Sequence, residues 1–172
     1  MEVRRVDSSG QDLADEVPGE IQVRGPGVFH EYWGKPDATV EAFVDGWFKT
    51  GDVAVVEDGS YRILGRNSVD IIKTGGYKVS ALEIEEVLRE HEQILEAAVV
   101  GLPDEQWGER VAACLVLAAE QSLTLEELRD WSKQRLAVYK VPSIMLAVDA
   151  LPRNAMGKVG KPAIKQLFSA SD

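Results

Sequence analysis

Short runs of alternating apolar and polar residues, separated by glycine and proline, dominate the beginning of the chain. Val3–Val6 and Gly19–Arg24 have the composition of strands, and each is followed by turn-forming residues. Val53–Glu57 and Ser60–Leu64 flank Asp58-Gly59, a dipeptide that tolerates the positive φ angles of a tight hairpin turn. This region therefore predicts a β-rich segment that contains one hairpin.

The pattern changes after Gly65-Arg66. Asn67-Ser68-Val69 has weak propensity for either helix or strand, and we interpret residues 66–69 as a joint between two units. Residues 1–65 are then a β-rich unit, and residues 70–172 a second unit in which strands alternate with helices. The predicted fold class is α+β, a β-rich piece followed by a small α+β domain.

Two capping boxes mark helix starts in the second unit: Ser80 with Glu83, and Thr124 with Glu127. The second of these helices is expected to be limited by Pro142. The first helix is predicted to bury an apolar stripe. That stripe consists of Leu82, Ile84, Val87 and Leu88. The remaining predicted elements are the strands Asp70–Thr74, Tyr77–Val79, Ile94–Leu102, Arg110–Ala118 and Ser143–Val148, the loops Pro103–Gly108 and Pro152–Gly157, and a closing helix from Lys161-Pro162.

Composition narrows the possible functions of this 172-residue chain. It has 29 acidic and 19 basic residues and a formal net charge of −10, which argues against a nucleic-acid-binding surface. The longest apolar run, Val111–Ala119, is about half of what a membrane-spanning helix needs, and the beginning of the chain has no apolar stretch of signal-peptide length. Cys114, the single cysteine, lies in that run and predicts a buried thiol in a cytoplasmic or similarly reducing compartment.

The sequence has neither the residue spacing of a metal site nor the glycine-rich motif of a phosphate-binding loop. His30 and His91 are the only histidines, neither has metal-ligand spacing around it, and we interpret both as surface or packing residues. No Gly-x-x-x-x-Gly-Lys-Ser/Thr loop is present. We therefore expect no metal site in this chain.

Two short segments near the hairpin carry candidate nucleotide-binding residues. In Trp47–Asp52, the carboxylate of Asp52 can accept hydrogen bonds from the two adjacent hydroxyls of a ribose, or else from local backbone N–H groups of a turn. Arg66 can reach a ribose or phosphate oxygen, or form a surface ion pair.

Two further segments in the second unit have similar ambiguity. Gly75 and Gly76, before Tyr77, allow the backbone to approach a ligand closely, but adjacent glycines also occur at strand interruptions. Lys158 lies on a loop bounded by Pro152 and Gly157. It can present a mobile ammonium to a phosphate or be an ordinary exposed lysine.

The order of these segments resembles the C-terminal part of acyl-CoA synthetases. These enzymes belong to the adenylate-forming superfamily, with peptide synthetase adenylation domains and beetle luciferases. The resemblance runs from Val3 to Phe168. The segments that carry it are Gly19–Gly25 with Tyr32-Trp33, Trp47–Asp52, Gly65-Arg66 through Gly76, and Pro152–Lys158. It implies that residues 1–65 end a large AMP-binding domain and that residues 70–172 are a small mobile domain.

The resemblance also implies roles for individual residues. Asp52 and Arg66 hold the ribose of ATP or AMP, and Lys158 is the lysine needed for adenylation. The implied hinge is Asn67, Ser68 and Val69, with one residue more than the common pattern before the glycine pair. Gly75, Gly76 and Tyr77 lie against the pantetheine arm of coenzyme A.

The implied activity is that of an ATP-dependent acyl-CoA ligase of fatty acid metabolism. A carboxylate and ATP form an acyl-adenylate, which then gives a thioester with CoA. The partners are a small carboxylic acid, ATP, CoA and a large N-terminal domain that would carry the Mg²⁺ ligand, so this chain is expected to be inactive alone. The wording of Ser68–Glu85 looks most like the malonyl-CoA synthetase branch.

Two alternatives remain open at this point. One is a peptide synthetase adenylation domain, which transfers its acyl group to a carrier domain; no carrier sequence follows Lys158 here. The other is a non-catalytic module that binds a nucleotide or a partner protein, for which Lys158 would be dispensable.

Overall fold

A computed structural model describes residues 1–170 of the chain. It divides into two compact units, Met1–Ser68 and Val69–Asp172. Ser171 and Asp172, the end of the predicted second unit, lie outside the described residues. Both units contain strands and helices, and the predicted α+β class is confirmed.

The first unit is an antiparallel sheet with one short helix. The sheet has five strands in the order β1-β2-β4-β3, with β5 paired to β4. Its elements are β1 (Glu2–Val6), β2 (Gly19–Arg24), α1 (Pro36–Ala42), β3 (Phe43–Val44), β4 (Trp47–Glu57) and β5 (Ser60–Arg66). The predicted β4–β5 hairpin is confirmed, and its turn residues have positive φ, +50° at Asp58 and +74° at Gly59. Helix α1, which follows Lys35, was not anticipated from the sequence.

The second unit has a five-stranded mixed sheet. The strand order is β10-β9-β6-β7, with β8 paired to β9 and with β10 parallel to β9. Its elements are β6 (Ile71–Thr74), β7 (Tyr77–Ser80), α2 (Ala81–Leu88), β8 (Ile94–Asp104), β9 (Gly108–Leu117), α3 (Leu125–Lys133), the 3₁₀ turn Val138–Lys140, β10 (Ile144–Ala147) and α4 (Lys161–Ser169).

Both faces of strand β9 are buried. Successive side chains of a strand point to opposite sides of the sheet, so its buried residues divide between two clusters. Val111, Ala113 and Leu115 face α2 and α3 in one apolar cluster. Ala112 and Cys114 belong to a second cluster, which includes α4. The predicted burial of Cys114 is confirmed, and burial raises the pKa of its thiol. Helices therefore cover both faces of this sheet.

The first predicted capping box is only half formed. The Ser80 hydroxyl accepts a hydrogen bond from the Glu83 N–H at 3.2 Å, as expected. The Glu83 carboxylate does not reach back, because its Oε1 accepts from Lys140 Nζ at 2.5 Å. Leu82 is exposed, so its place in the apolar stripe was wrong. The buried face of α2 is offset from the prediction and consists of Ala81, Ile84, Glu85 and Leu88.

Two loop predictions also need correction. Strands β8 and β9 extend to Asp104 and Gly108, so the predicted loop Pro103–Gly108 is a tight turn. Asp104 Oδ1 accepts the N–H groups of residues 106 and 107 at 2.9 Å and closes that turn. Helix α3 has the complete predicted capping box but ends at Lys133, well before Pro142. Leu136, three residues after the end of the helix, packs into the core of the second unit.

Candidate functional site

Asp52 and Arg66 lie side by side in the first unit. Strands β4 and β5 pair these two residues directly, and Arg66 Nε is 3.1 Å from Asp52 Oδ1. The side chains are 35% exposed for Asp52 and 62% for Arg66, so the ion pair itself contributes little to stability. Asp52 lies within β4 rather than in a turn that precedes the hairpin. The two predicted nucleotide-binding side chains thus form one accessible polar site.

Local backbone geometry determines how the two side chains are presented. Gly51 has φ of +76°, a conformation that favours glycine, and its carbonyl accepts the Asn67 N–H at 2.9 Å. The Thr50 hydroxyl accepts the Asp52 N–H at 3.1 Å and donates to the Ile21 carbonyl at 2.8 Å. The Thr-Gly-Asp segment is therefore tied to both neighbouring strands.

A β-bulge lies directly beside this pair. Val53 pairs with Gly65 and Ala54 pairs with Ile63, so the register of the two strands shifts by one residue between these pairs. Gly65 has φ of +122°. Bulges bend a strand and redirect the side chains that follow. The bulge is what brings Arg66 opposite Asp52.

In the second unit, Gly75 and Gly76 form the two-residue turn between β6 and β7. Their φ angles are +56° and +84°, as a tight hairpin turn requires. The Gly75 N–H donates to the Trp107 carbonyl at 2.9 Å. A Cβ atom at Gly75 would lie 3.2 Å from the Trp107 ring, so this turn and the indole are closely packed.

A groove of about 670 Å³ opens beside this glycine turn. Tyr77 forms part of its wall and stacks on Tyr139, with ring centroids 4.2 Å apart and planes 8° from parallel. The groove combines aromatic rings with guanidinium groups, a lining suited to a ligand that has both a flat ring and phosphates. Its other lining residues include Trp107, Arg110, Arg129 and Ser143.

Lys158 lies at the end of a tight loop in the second unit. Asn154 Oδ1 accepts the N–H groups of Met156 and Lys158 at 2.9 and 3.0 Å, and the Asn154 N–H donates to the Lys158 carbonyl at 2.8 Å. Gly157 has φ of +78°. The backbone that carries the lysine is thus held by its own hydrogen bonds. The Lys158 side chain is exposed, and within residues 1–170 its ammonium has no hydrogen-bond or ion-pair partner.

Comparison with known proteins connects these observations. Residues 83–158 match the AMP-binding enzyme C-terminal domain. The human mitochondrial malonate–CoA ligase ACSF3 is 54% identical over 158 residues, which cover 91% of this chain and 27% of that protein. The malonate–CoA ligase of Arabidopsis thaliana is 51% identical over 86% of this chain and 26% of its own length. The chain is homologous to the C-terminal portion of adenylate-forming CoA ligases. It spans about a quarter to a third of the length of these relatives.

Solved CoA ligase structures agree with this assignment. ATP-bound MatB from Rhodopseudomonas palustris has a TM-score of 0.85 at 35% identity, over 97% of this chain and 34% of that one. The o-succinylbenzoate CoA synthetase MenE from Bacillus subtilis, in complex with its acyl-adenylate OSB-AMP, has a TM-score of 0.83 at 36% identity, over 95% and 33%. The family resemblance found in the sequence, including the malonyl-CoA branch, is confirmed.

Several residues of this CoA ligase homologue were missed by sequence reasoning. Trp107, Tyr139, Arg110 and Arg129 come from separate elements and share one groove only in the folded unit. The available signal was Trp107, a large aromatic side chain in an otherwise polar turn segment. Asn154 was also missed, although an Asn three residues before a Gly is typical of a side-chain-closed turn.

The histidines of the homologue have the surface and packing environments expected for them. His30 is exposed. His91 packs edge-on against Trp131, with ring centroids 5.0 Å apart, and its Nδ1 accepts the Gln93 N–H at 3.2 Å. Among residues 1–170, no group of three or more His, Cys, Asp or Glu side chains could hold a metal ion. No helix in the described part is long and apolar enough to cross a membrane.

Proposed function

We propose that this chain is the C-terminal part of an ATP-dependent CoA ligase that acts on a small carboxylic acid, with malonate as the first candidate. The observation that carries the proposal is the 54% identity to a malonate–CoA ligase across 91% of the chain. The reaction has two steps. The carboxylate oxygen attacks the α-phosphorus of ATP and displaces pyrophosphate, and the CoA sulfur then attacks the acyl carbon and displaces AMP.

Asp52 and Arg66 are proposed to bind the ribose of the nucleotide. Two adjacent hydroxyls can both donate to one carboxylate, which accepts but cannot donate when ionised. Support comes from the partial exposure of Asp52 and from its contact with Arg66 Nε at 3.1 Å, which orients the carboxylate. A hydrogen bond to a charged group contributes about 1.5–3 kcal/mol, so loss of Asp52 should weaken ATP binding by roughly ten- to a hundred-fold.

Lys158 is proposed to act in the adenylation step. Negative charge grows on the phosphoryl oxygens as the carboxylate attacks, and an ammonium placed beside them stabilises that charge. The support is an exposed ammonium on a backbone held by Asn154. This refines the expectation of a mobile lysine: the side chain can move, whereas the loop that carries it is closed by hydrogen bonds.

Gly75, Gly76 and Tyr77 are proposed to contact CoA in the second step. The glycine turn leaves room for the pantetheine arm, because a Cβ atom built at Gly76 meets nothing within 4 Å. The groove beside it offers the Tyr77–Tyr139 stack to a flat ring. Arg110 and Arg129, which also line the groove, are suited to phosphate groups.

Asn67, Ser68 and Val69 are proposed as the hinge between the two steps. The division between the two compact units falls between Ser68 and Val69, within this segment. A turn about the hinge would withdraw Lys158 after pyrophosphate leaves and present the glycine face for the thioester step. Such a domain motion lets one site serve two steps with different geometric needs.

Two further parts of the proposal concern Mg²⁺ and the cellular compartment. Mg²⁺ is expected to accompany ATP, and the family resemblance assigns its protein ligand to the large N-terminal domain. No step is routed through it here. The buried thiol of Cys114 suits a reducing compartment. The cytoplasm is our first candidate; the human relative is a mitochondrial protein.

The test is to join the chain to the preceding portion of a malonate–CoA ligase and to measure pyrophosphate release with malonate, acetate or fatty acids. We expect activity with malonate, a loss of about two to three powers of ten in Lys158→Ala, and no activity from the chain alone. The matched control is Lys165→Ala, because Lys165 is a half-buried lysine on α4. No adenylate with any acid would refute the ligase proposal and favour a binding module, whereas adenylate formation undiminished in Lys158→Ala would refute only the role of the lysine.

A further inference from the structure

A buried charge cluster lies in the second unit, outside the residues assigned to the reaction. Lys161 Nζ is 2.7 Å from Asp70 Oδ1 and 2.9 Å from Glu85 Oε1. Only 9–14% of each of these three side chains is exposed. Neither contact has the angles of a hydrogen bond, so the attraction is that of one cation between two anions. We call Lys161, Asp70 and Glu85 the buried triad.

The buried triad connects three parts of the second unit that are distant in sequence. Asp70 precedes β6, and its carbonyl accepts the Ala81 N–H at 2.7 Å. Glu85 is on α2, in contact with one face of the sheet, and its Oε1 also accepts the Val99 N–H of β8 at 2.8 Å. Lys161 is the first residue of α4, the helix on the other face. The triad therefore ties together helices from both faces of the sheet and the strand that starts the unit.

A buried ion cluster of this kind is a poor source of stability. Removing charges from water costs free energy that their mutual attraction only partly returns, so apolar residues of similar size often serve as well. What such a cluster does supply is a defined position for each charged side chain, since the alternative is an unpaired buried charge. A segment joined directly to one of these three residues is therefore held in position as well.

That segment is the loop that carries Lys158. Lys161 follows Lys158 after only two residues, and both of those residues are paired back to the start of the loop. Val159 forms a bridge with Arg153, and the Gly160 N–H donates to the Pro152 carbonyl at 2.8 Å. The short connection leaves the loop little freedom once Lys161 is held. At its other end, Leu151 is buried in the second apolar cluster.

The sequence places the same triad directly after the proposed hinge. Asp70 is the residue that follows Val69, so the loop of Lys158 is anchored to the first residue beyond the proposed pivot. Because the loop is anchored beside the hinge, a rotation of the second unit moves Lys158 by a fixed amount. Without this anchor, the position of Lys158 relative to the rest of the unit would vary.

We propose that Lys161 is a positioning residue for adenylation, which fixes the Lys158 loop to the strand after the hinge through Asp70 and Glu85. This inference rests on the proposed ligase function. The triad itself is assigned no contact with substrate. Its effect on the reaction passes through the position of Lys158 alone, so it bears on the adenylation step and leaves the thioester step unaffected.

The first experiment measures the anchor without any activity, by backbone amide exchange in the purified chain. In Lys161→Met we expect the amides of Gly157, Lys158 and Gly160 to exchange about ten-fold faster, with the Leu128 amide of α3 unchanged as a sign that the fold persists. Lys165→Met is the matched control, because Lys165 is on the same helix, is 40% exposed and lies 3.9 Å from Glu109. Unchanged exchange at the loop amides in Lys161→Met would overturn the anchor.

A second variant covers the case in which Lys161→Met fails to fold because two buried carboxylates lose their cation. The triple variant Lys161→Met, Asp70→Asn, Glu85→Gln removes the charges together and keeps the side-chain sizes close. Lys161→Arg keeps the charge. We expect faster loop exchange in the triple variant and exchange near that of the unmodified chain in Lys161→Arg.

The second experiment separates the two steps in the chain joined to the preceding portion of a malonate–CoA ligase. Adenylation is followed by pyrophosphate release, and the thioester step by CoA consumption with acyl-adenylate supplied. We expect the triple variant to lose about ten- to a hundred-fold in adenylation and less than two-fold in the thioester step. An equal loss in both steps indicates a merely structural triad and overturns the proposal. If the unmodified joined protein forms no adenylate, the ligase proposal fails, while the exchange experiment still decides whether the triad anchors the loop.

Discussion

The two units of this chain differ in how completely their own residues bury their apolar side chains. In the described part, six of the buried hydrophobic residues lie in the first unit and 23 in the second. Both apolar core clusters lie in the second unit, where helices cover both faces of the sheet. In the first unit, helix α1 has no buried residue, and several large apolar side chains are exposed, including Phe29, Trp33, Val40 and Ile63.

This difference shows that strand pairing and a core are separate requirements. The first unit has a well-paired sheet, yet among residues 1–170 neither apolar core cluster includes a residue of that unit. Apolar burial is the dominant favourable contribution to folding, and pairing alone does not replace it. The second unit meets both requirements with its own residues.

The largest expected effect is on the folding of the two segments expressed separately. Residues 69–172 should fold alone, because both core clusters are internal to them. Residues 1–68 should remain largely unfolded, because they bury few apolar side chains. Two-dimensional NMR of each segment decides this through the dispersion of the amide signals. A dispersed spectrum for residues 1–68 would show that the sheet of the first unit is stable without a core.

The next largest effect is expected on the free energy of unfolding when one core side chain and one surface side chain are truncated. Leu115 is fully buried and Ile63 is 54% exposed. Leu115→Ala removes packed methyl groups from the first core cluster and should lower the free energy of unfolding of the second unit by about 2–5 kcal/mol. Ile63→Ala should change the stability of the first unit by less than about 0.5 kcal/mol.

Urea titration of the whole chain, followed by NMR signals of each unit, measures both changes. Equal losses at the two positions would contradict the comparison, because they would mean that the exposed face around Ile63 is packed in solution.

The elements that were predicted well are those whose signal is local. Arg110–Ala118 was predicted as a strand because Val, Ala and Leu residues follow one another, and the Asp58-Gly59 turn because few dipeptides suit that backbone. Helix α1 was missed because it buries nothing, so it has no apolar periodicity to detect. Leu82 was misplaced because the direction of a helix face depends on its neighbours and not on spacing alone.

The candidate site divides in the same way. Lys158, Asp52 and Arg66 were predicted as site residues from motifs that are continuous in the chain, and their roles stay predictions. The groove beside Tyr77 could not be found in that manner, because Trp107 and Tyr139 reach it from distant segments. The buried triad was missed for a further reason: a lysine, an aspartate and a glutamate look like surface residues until their burial is known.

A smaller effect is expected at the helix starts of the second unit. Thr124 forms a complete capping box with Glu127, whereas Ser80 has only half of one. Thr124→Ala should lower the stability of the second unit by about 1 kcal/mol, because an N-terminal N–H of α3 loses its acceptor. Thr124→Ser is the matched control and should retain most of the stability. A change below about 0.2 kcal/mol in Thr124→Ala would mean that solvent replaces the cap at no cost.

The smallest expected effect is a change in the pKa of one carboxylate in each unit. The backbone N–H and then the hydroxyl of Thr124 donate to Glu127 and lower its pKa, whereas for Asp7 the hydroxyl of Ser9 is the first cause of a lowered pKa. Because both pKa values are lowered by folding, the stability these groups contribute is present above their unfolded pKa values, near pH 4, and is lost as pH falls through the folded values. Ser9→Ala removes the largest cause at Asp7, whereas Thr124→Ala removes only the second at Glu127, and backbone donors remain at both carboxylates. Both pKa values should therefore rise only in part, with the larger rise at Asp7. Carboxyl chemical shifts followed by NMR between pH 2 and 6, roughly the range in which both groups titrate, measure the two changes, and a larger rise at Glu127 would reverse the assigned order of causes.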